Sequence, residues 1–288
     1  MVPKSILAAI LVLALVTMAC GVSINTPPIQ EFTTGPTQTM DISVPAPASG
    51  SANLTLEFGA GDLTLAPGAQ GELVQGMVTF NAEQLKPVIT TNGSDVKVST
   101  GNVVIRGIPA IRASNFINQW DLKLGNQPMA LKINSGAYKG RMELGGLALS
   151  SLEISDGAAD VDLTFGQPNL GEMDQFVYTT GASNVNLHNL ANANFAGMTF
   201  RSGAGGYLLD FSGGLKRDAT VTIESGVSQV TVVVPSGTSA RLSFKGGLSN
   251  VDVRGAWQKS GSNYTMQGSG PTLTIVVTMG AGNLILEN

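Results

Sequence analysis

Alternating apolar positions flank a small turn motif that recurs along most of the chain. Each copy reads apolar-x-apolar, two variable residues, glycine, two mostly small residues, a residue that is often Asp or Asn, and again apolar-x-apolar. Copies begin at Leu54, Leu152, Phe176, Met198, Val221, Leu242 and Ile275, and a degenerate copy begins at Leu131. The glycines from Gly136 to Gly247 are 21, 24, 22, 23 and 21 residues apart, so the period is about 22 residues.

The motif predicts a strand, a tight corner and a second strand in every repeat. Period-two alternation is typical of strands with one buried face, and glycine with Asp or Asn is typical of turns that need positive φ. A single repeat cannot bury its apolar face, whereas repeats stacked about 4.8 Å apart bury it and pair their backbones. We therefore expect an all-β fold, either a β-solenoid-like stack of two-strand repeats or a sandwich of two stacked sheets built the same way, with internal apolar columns.

The regularity of the repeat changes along the chain and suggests a division. Residues 133–288 are predicted to form the β-repeat domain. Residues 40–132 contain the Gly59 copy and an Asn92-Gly93 hairpin signal but are less regular, which indicates an N-terminal β subdomain. Since a bare sheet edge invites aggregation, we expect these residues to pack as an N-terminal subdomain or as a cap on the stack.

The N-terminal segment has the character of an export signal. Lys4 is followed by an apolar run from Ile6 to Val16, which is too short to span a bilayer. Residues 1–19 are therefore predicted to be a signal peptide. Thr17-Met18-Ala19-Cys20 resembles the lipobox of bacterial lipoproteins, which implies lipidation of Cys20, although Thr17 and Met18 depart from the usual box. Ordinary cleavage after Ala19, leaving a free thiol, is the alternative.

The segment that follows is interpreted as a tether. Residues 20–39 are polar, contain three prolines and show no periodicity, so they are predicted to be a lipidated N-terminus and a flexible linker.

Composition narrows the possible partners without indicating a chemistry. Charged residues make up only 12% of the chain and the net charge is −4, which argues against a helical bundle and against nucleic-acid binding. The single cysteine excludes an internal disulfide.

Glycine clusters and the one histidine are weak candidates for chemistry. The clusters at Gly59 and Gly203 lack the third glycine of a dinucleotide-binding fingerprint and are explained as repeat corners. His188 follows a predicted strand, where a surface histidine is unremarkable, so we expect neither a catalytic triad nor a metal site around it.

Acidic residues offer the other candidates. Asp156, Asp160 and Asp162 are the densest group, and the last two are expected to project from one strand face about 7 Å apart. That separation suits some glycosidase pairs, but a solvated face is the preferred interpretation. Trp120 and Trp257 are too few for an obvious sugar-stacking platform. One repeat position is predicted to form a polar ladder on the outer corner, with Asp62, Asp160, Asn184, Asn250 and Asn283.

Taken together, these motifs resemble the toast-rack domain of bacterial envelope proteins. The resemblance rests on Glu57-Phe58-Gly59-Ala60-Gly61-Asp62-Leu63, Lys86-Pro87-Val88, Gln119-Trp120-Asp121-Leu122-Lys123-Leu124, Asn192-Ala193-Asn194-Phe195 and Leu209-Asp210-Phe211-Ser212-Gly213. It covers nearly all of the chain after the tether. Related domains lie at the C-terminus of LiaF-like proteins, which take part in responses to cell-wall-active antibiotics. Another related group of domains is adhesin-like. The resemblance supplies no catalytic residues.

The sequence therefore predicts a non-enzymatic, membrane-tethered protein of the bacterial envelope that acts as an interaction or scaffolding module. Its partners would be the membrane, through the lipid anchor, and an envelope protein or polymer; no cofactor, metal or nucleic acid is expected. A component of an envelope-stress response is the alternative, and a polysaccharide-active solenoid enzyme is a minor one.

Overall fold

The protein is built almost entirely of β-strands. The computed structural model describes residues 34–47, 50–101 and 116–288. Within them, two short 3-10 helices cover Glu83–Leu85 and Leu190–Ala193. The strands are β1 Gln38–Pro45, β2 Ala52–Glu57, β3 Ala60–Pro67, β4 Glu72–Phe80, β5 Pro87–Asn92, β6 Asp95–Thr100, β7 Asn118–Leu124, β8 Met129–Asn134, β9 Ala137–Glu143, β10 Leu149–Ser155, β11 Ala158–Thr164, β12 Met173–His188, β13 Phe195–Asp210, β14 Ala219–Val233, β15 Gly237–Val253, β16 Gln258–Ser260, β17 Asn263–Met266 and β18 Gly268–Glu287.

Each repeat forms one rung with a corner in its middle. We call the strand before the corner glycine the first leg and the strand after it the second leg. The rungs β2–β3, β8–β9 and β10–β11 are pairs of strands, whereas β12, β13, β14, β15 and β18 run through the corner as one strand. The predicted all-β stack of two-strand repeats is therefore confirmed. The signal peptide, Cys20 and the tether up to residue 33 lie outside the described residues.

The rungs stack in parallel, but their order differs from the order of the chain in two places. First legs pair in the order β6, β2, β8, β10, β12, β13, β14, β18, β15. The second legs pair in the order β7, β3, β9, β11, β12. From β12 onward each strand carries both legs, so the two orders are the same. Strand β18 thus lies between β14 and β15, although stacking of successive repeats was expected.

The burial of β18 agrees with its interior place. Its inward residues Ile275, Val277, Leu284 and Leu286 are all fully buried. The equivalent positions of β15 include Phe244, which is only partly buried because β15 lies at the end of the stack.

Antiparallel strands cover most of the two ends of the stack. At one end β5 pairs with β6, and β4 pairs with β7 and with β1. At the other end β17 pairs with part of β15 and with β16. The division between residues 132 and 133 stays a prediction; β8 crosses it and pairs with both β2 and β10.

The apolar positions of the motif form internal columns, as predicted. One column runs through the first legs, and every one of its members is at most 2% exposed. Its members are Leu54, Leu131, Leu152, Phe176, Met198, Val221, Ile275 and Leu242. Burying a side chain of this kind contributes about 1.5–3 kcal/mol, so the columns supply the main stabilisation of the stack.

The corner glycines form a column of their own, and close packing is what requires them. The column comprises Gly59, Gly136, Gly157, Gly181, Gly203, Gly226, Gly280 and Gly247. The carbonyl oxygen of Gly136 accepts hydrogen bonds from the N–H groups of Gly157 and Ala158, both at 2.9 Å. A Cβ atom on Gly203 would lie 2.6 Å from the carbonyl oxygen of Gly181. Each glycine therefore leaves room for the carbonyl of the rung beneath it.

The expectation that these corners need positive φ is wrong for seven of the eight corner glycines. Only Gly59 has a positive φ, of 26°. The left-handed conformation occurs two residues later, for example at Gly282, where φ is 130°. Ser183 and Ser228 occupy the equivalent position in other rungs without positive φ, so the position does not demand glycine everywhere.

Replacing a corner glycine by alanine should destabilise the protein strongly. We expect Gly203→Ala to lower the free energy of unfolding by about 3 kcal/mol, because the new methyl group meets a carbonyl oxygen and separates two rungs. Gly214→Ala is the matched control, since nothing lies within 4 Å of the added carbon. Urea unfolding followed by circular dichroism measures both variants, and equal stabilities would contradict the steric role of the corner.

Candidate functional site

A column of polar side chains runs along the outer surface of the second legs. Starting beside β7 and ending at β15, its members are Gln119, Asp62, Lys139, Asp160, Asn184, Gly206, Gln229, Asn283 and Asn250. All five residues of the predicted polar ladder lie in this column. The Nδ2 group of Asn250 donates to Oδ1 of Asn283 at 3.3 Å. We call this set the polar column; its members are about 4.8 Å apart, and all of them except Gly206 carry side-chain donors or acceptors.

The two aspartates proposed as a glycosidase pair share an arginine instead. Arg141 lies 3.6 Å from a carboxylate oxygen of Asp160 and 3.3 Å from one of Asp162. Asn186 donates to Oδ1 of Asp162 at 2.7 Å. All three charged side chains are between 42% and 49% exposed. This arrangement agrees with the solvated-face interpretation.

Asp156 does not join this pair but lies at the corner, where it anchors a group of hydroxyls. The hydroxyl of Tyr178 donates to Oδ2 of Asp156 at 2.8 Å, and the hydroxyl of Thr180 donates to Oδ1. Thr180 also lies 2.6 Å from Oγ of Ser183, which accepts the N–H of Ala159 at 2.9 Å. These contacts hold a largely buried carboxyl group between two rungs.

Burial sets the protonation behaviour of this cluster. Loss of water raises the pKa of Asp156 above its ordinary value, while the hydrogen bonds from Thr180, Tyr178 and Ser183 oppose that rise. Burial also raises the pKa of Tyr178 and of Tyr138, and the nearby Asp156 carboxylate adds to both shifts. Both phenols therefore stay protonated at neutral pH, and that of Tyr178 donates its hydrogen bond to Asp156.

Hydroxyl groups continue from this cluster along the corner of the following rungs. Ser202 and Ser225 are 2.8 Å apart, and Ser225 and Ser228 are 2.6 Å apart. Beside them Arg201 donates to Glu224 at 2.9 Å. A shallow, open groove is lined here by Thr180, Arg201, Ser202, Glu224, Ser225 and Thr278. Such a groove can hydrogen-bond a polar partner.

The remaining candidates of the sequence lie apart from these groups. His188 ends β12 in register with Thr164. Trp120 and Trp257 are both buried, so neither can offer a surface for stacking sugars. The described residues contain no group of three His, Cys, Asp or Glu side chains placed to hold a metal ion. Among the same residues, no helix has the length and apolar character needed to cross a membrane.

Sequence reasoning missed Arg141 and the hydroxyl partners of Asp156, although part of the signal is visible. Ser135, Asp156, Thr180, Ser202 and Ser225 each immediately precede a corner glycine. Aligning the copies one position before the glycine would have revealed this second row of polar residues. Arg141 lies in the degenerate copy, where the motif is hardest to recognise.

Comparison with known proteins identifies a family and a shared fold. The family model described as the N-terminal domain of toast_rack, DUF2154, matches residues 33–176, which is half of the chain. A crystal structure of a "putative cell adhesion protein" from Clostridium sporogenes aligns with a TM-score of 0.50 at 18% identity, covering 88% of this chain and 99% of that one. A "putative adhesin" from Bacteroides fragilis aligns with a TM-score of 0.46 at 14% identity, covering 87% and 97%. No curated protein matches the sequence.

Removing the Asp156 charge should change how stability depends on pH. A raised pKa means that the folded state binds a proton more readily than the unfolded chain, so native stability falls as pH rises through the pKa of the folded state. In Asp156→Asn this loss is absent. We therefore compare the difference in melting temperature, variant minus native protein, at two pH values. This difference should be a few degrees larger at pH 8 than at pH 4.

Asp160→Asn is the control for this experiment, because Asp160 lies on the exposed face beside Arg141. Melting temperatures measured by calorimetry across the pH range should show the trend for Asp156→Asn and no such trend for Asp160→Asn. A constant difference between Asp156→Asn and the native protein would refute the buried-charge account.

Proposed function

The chain belongs to the toast-rack family, and from this premise we propose that it is a non-enzymatic interaction or scaffolding module of the bacterial cell envelope. The observation that carries the proposal is the polar column, which crosses nine stacked rungs on one outer face. A face with a row of side-chain donors and acceptors, interrupted at Gly206, suits an extended partner, such as an envelope polymer or an elongated protein.

The neighbouring positions strengthen this surface. Arg141, Asp162 and Asn186 lie two residues further along their strands and extend the donors and acceptors into a second column. Asn184 and Gln229 are exposed on the outside of the stack. Their side chains are therefore accessible to a partner that lies along the stacking direction.

The distribution of the chemically capable residues supports a binding role over catalysis. Asp160 and Asp162 are paired with Arg141 on an exposed face, and Asp156 is held by hydroxyl donors inside the corner. The Clostridium sporogenes protein of similar fold is described as a cell adhesion protein, which accords with an adhesive or scaffolding role.

We place the module at a membrane through a lipid on Cys20. The support is the sequence itself: Lys4, the apolar run from Ile6 to Val16 and the small residues before Cys20. The part of the predicted linker, residues 20–39, that precedes β1 would then separate the rungs from the bilayer surface and leave the outer faces free to bind. Two or more acyl chains hold a protein on a membrane much more firmly than one.

Introducing bulky charges into the polar column should weaken envelope binding. We expect Asn184→Arg with Gln229→Arg to weaken binding to isolated bacterial envelopes at least about tenfold, because two bulky charges interrupt the face. The control is Gln175→Arg with Thr220→Arg, which places the same substitutions on the exposed first-leg face of the same two rungs. A co-sedimentation titration measures both, and equal loss in the two variants would count against the column as the binding face.

The anchor is tested separately by Cys20→Ser. We expect the native chain to fractionate with membranes and the variant to move to the soluble fraction, because the thiol that would carry the lipid is gone. Mass spectrometry of the N-terminal peptide checks the acyl modification directly. Recovery of the native protein without detergent and with an unmodified Cys20 would contradict the anchor.

A further inference from the structure

The stack has an uncovered edge on its last rung, β15. The first part of this strand is covered, because Ala240–Ser243 pairs with β17 and the N–H of Phe244 donates to Ser262 at 2.9 Å. From Lys245 to Val253, β15 pairs only with β18 on its inner side. In the described part of the chain, no strand covers the outer side of this segment, which we call the free edge.

Apolar side chains at the free edge are exposed to solvent. Leu248 is 87% exposed at the corner. Val251 and Val253 are only partly buried, whereas their partners on β18, Leu284 and Leu286, are fully buried. At the opposite end of the stack, antiparallel strands cover both legs of the terminal rung, β5 over β6 and β4 over β7. The comparison indicates that an antiparallel strand is the missing element, since an open, half-apolar edge favours pairing with another chain.

We propose that a second copy of this chain covers the free edge, with β15 pairing antiparallel to β15 about a twofold axis through the corner. The corner lies in the middle of the free edge, so the twofold axis exchanges the two legs and places corner on corner. Lys245 then faces Asp252 of the second copy, and Gly246 faces Val251 of the second copy. Inward residues meet inward residues and outward residues meet outward residues, as a continuous sheet requires.

Charge complementarity supports this register. Lys245 is exposed and has no ion pair among the described residues. On the outer surface, a carboxylate oxygen of Asp252 lies 2.9 Å from a guanidinium nitrogen of Arg254. The twofold axis brings Lys245 of each copy opposite Asp252 of the other, which gives two opposite-charge pairs on adjacent strands. It also brings the two exposed Leu248 side chains together at the centre.

The neighbouring hairpin leaves room for this contact. The hairpin covers β15 up to Phe244, whose N–H donates to Ser262. The part of the free edge that the twofold axis maps onto itself runs from Lys245 to Asp252. The hairpin therefore covers the part of the edge that the second copy does not reach.

Charge reversal and mixing test the proposal on the full chain purified in detergent. Sedimentation velocity at protein concentrations from about 1 to about 100 µM measures the dissociation constant of the dimer. We expect Lys245→Glu alone and Asp252→Lys alone each to raise it at least about tenfold, because each places like charges opposite one another twice. Lys216→Glu, which makes the same charge change on an exposed loop, should leave it within about twofold.

The decisive sample is an equimolar mixture of Lys245→Glu and Asp252→Lys. A mixed dimer restores opposite charges at both pairs, so we expect the mixture to regain dimers that neither variant forms alone. Circular dichroism confirms that both variants are folded. A native chain that stays monomeric at the highest concentration, a dimer that survives both single reversals, or a mixture that fails to dimerise would overturn the proposal.

Discussion

The contact between corner glycines of adjacent rungs is the constraint on which the rest of the structure depends. At each corner the carbonyl oxygen of one glycine occupies the space where a Cβ atom of the next would project, and it accepts backbone hydrogen bonds from the next rung. This contact fixes the register of every rung at one point. Both legs then follow from that point, so apolar residues align inside and polar residues align outside without any further device.

A fixed register also decides where polar groups can be tolerated inside the stack. Asp156 immediately precedes Gly157, so it comes into register with Thr180, which precedes Gly181. The hydroxyls of Thr180 and Tyr178 satisfy its carboxylate, which would otherwise be costly to bury. On the outer surface, the same register turns isolated residues such as Asp62 and Asn250 into members of one continuous column. A repeated backbone contact thus organises both the buried cluster and the proposed binding face.

The sequence allowed the rungs, their internal columns and the polar ladder to be predicted, because each depends on the local motif. The order of the rungs could not be predicted, since every copy presents the same corner motif and the motif does not specify that β18 lies between β14 and β15. Positive φ was the wrong reason for the corner glycines, because the steric demand comes from a neighbouring rung about 22 residues away. The role of Arg141 depends likewise on a neighbour, Asp160, in another rung.

The position of β18 has a consequence for how the chain assembles. Strand β15 precedes β18 in the sequence, yet β14 pairs with β18 and not with β15. If β15 pairs first with β14, that pairing has to be undone before β18 can lie between them. The stack therefore cannot be completed by adding rungs in the order of the sequence, and its last contacts join strands that are distant along the chain.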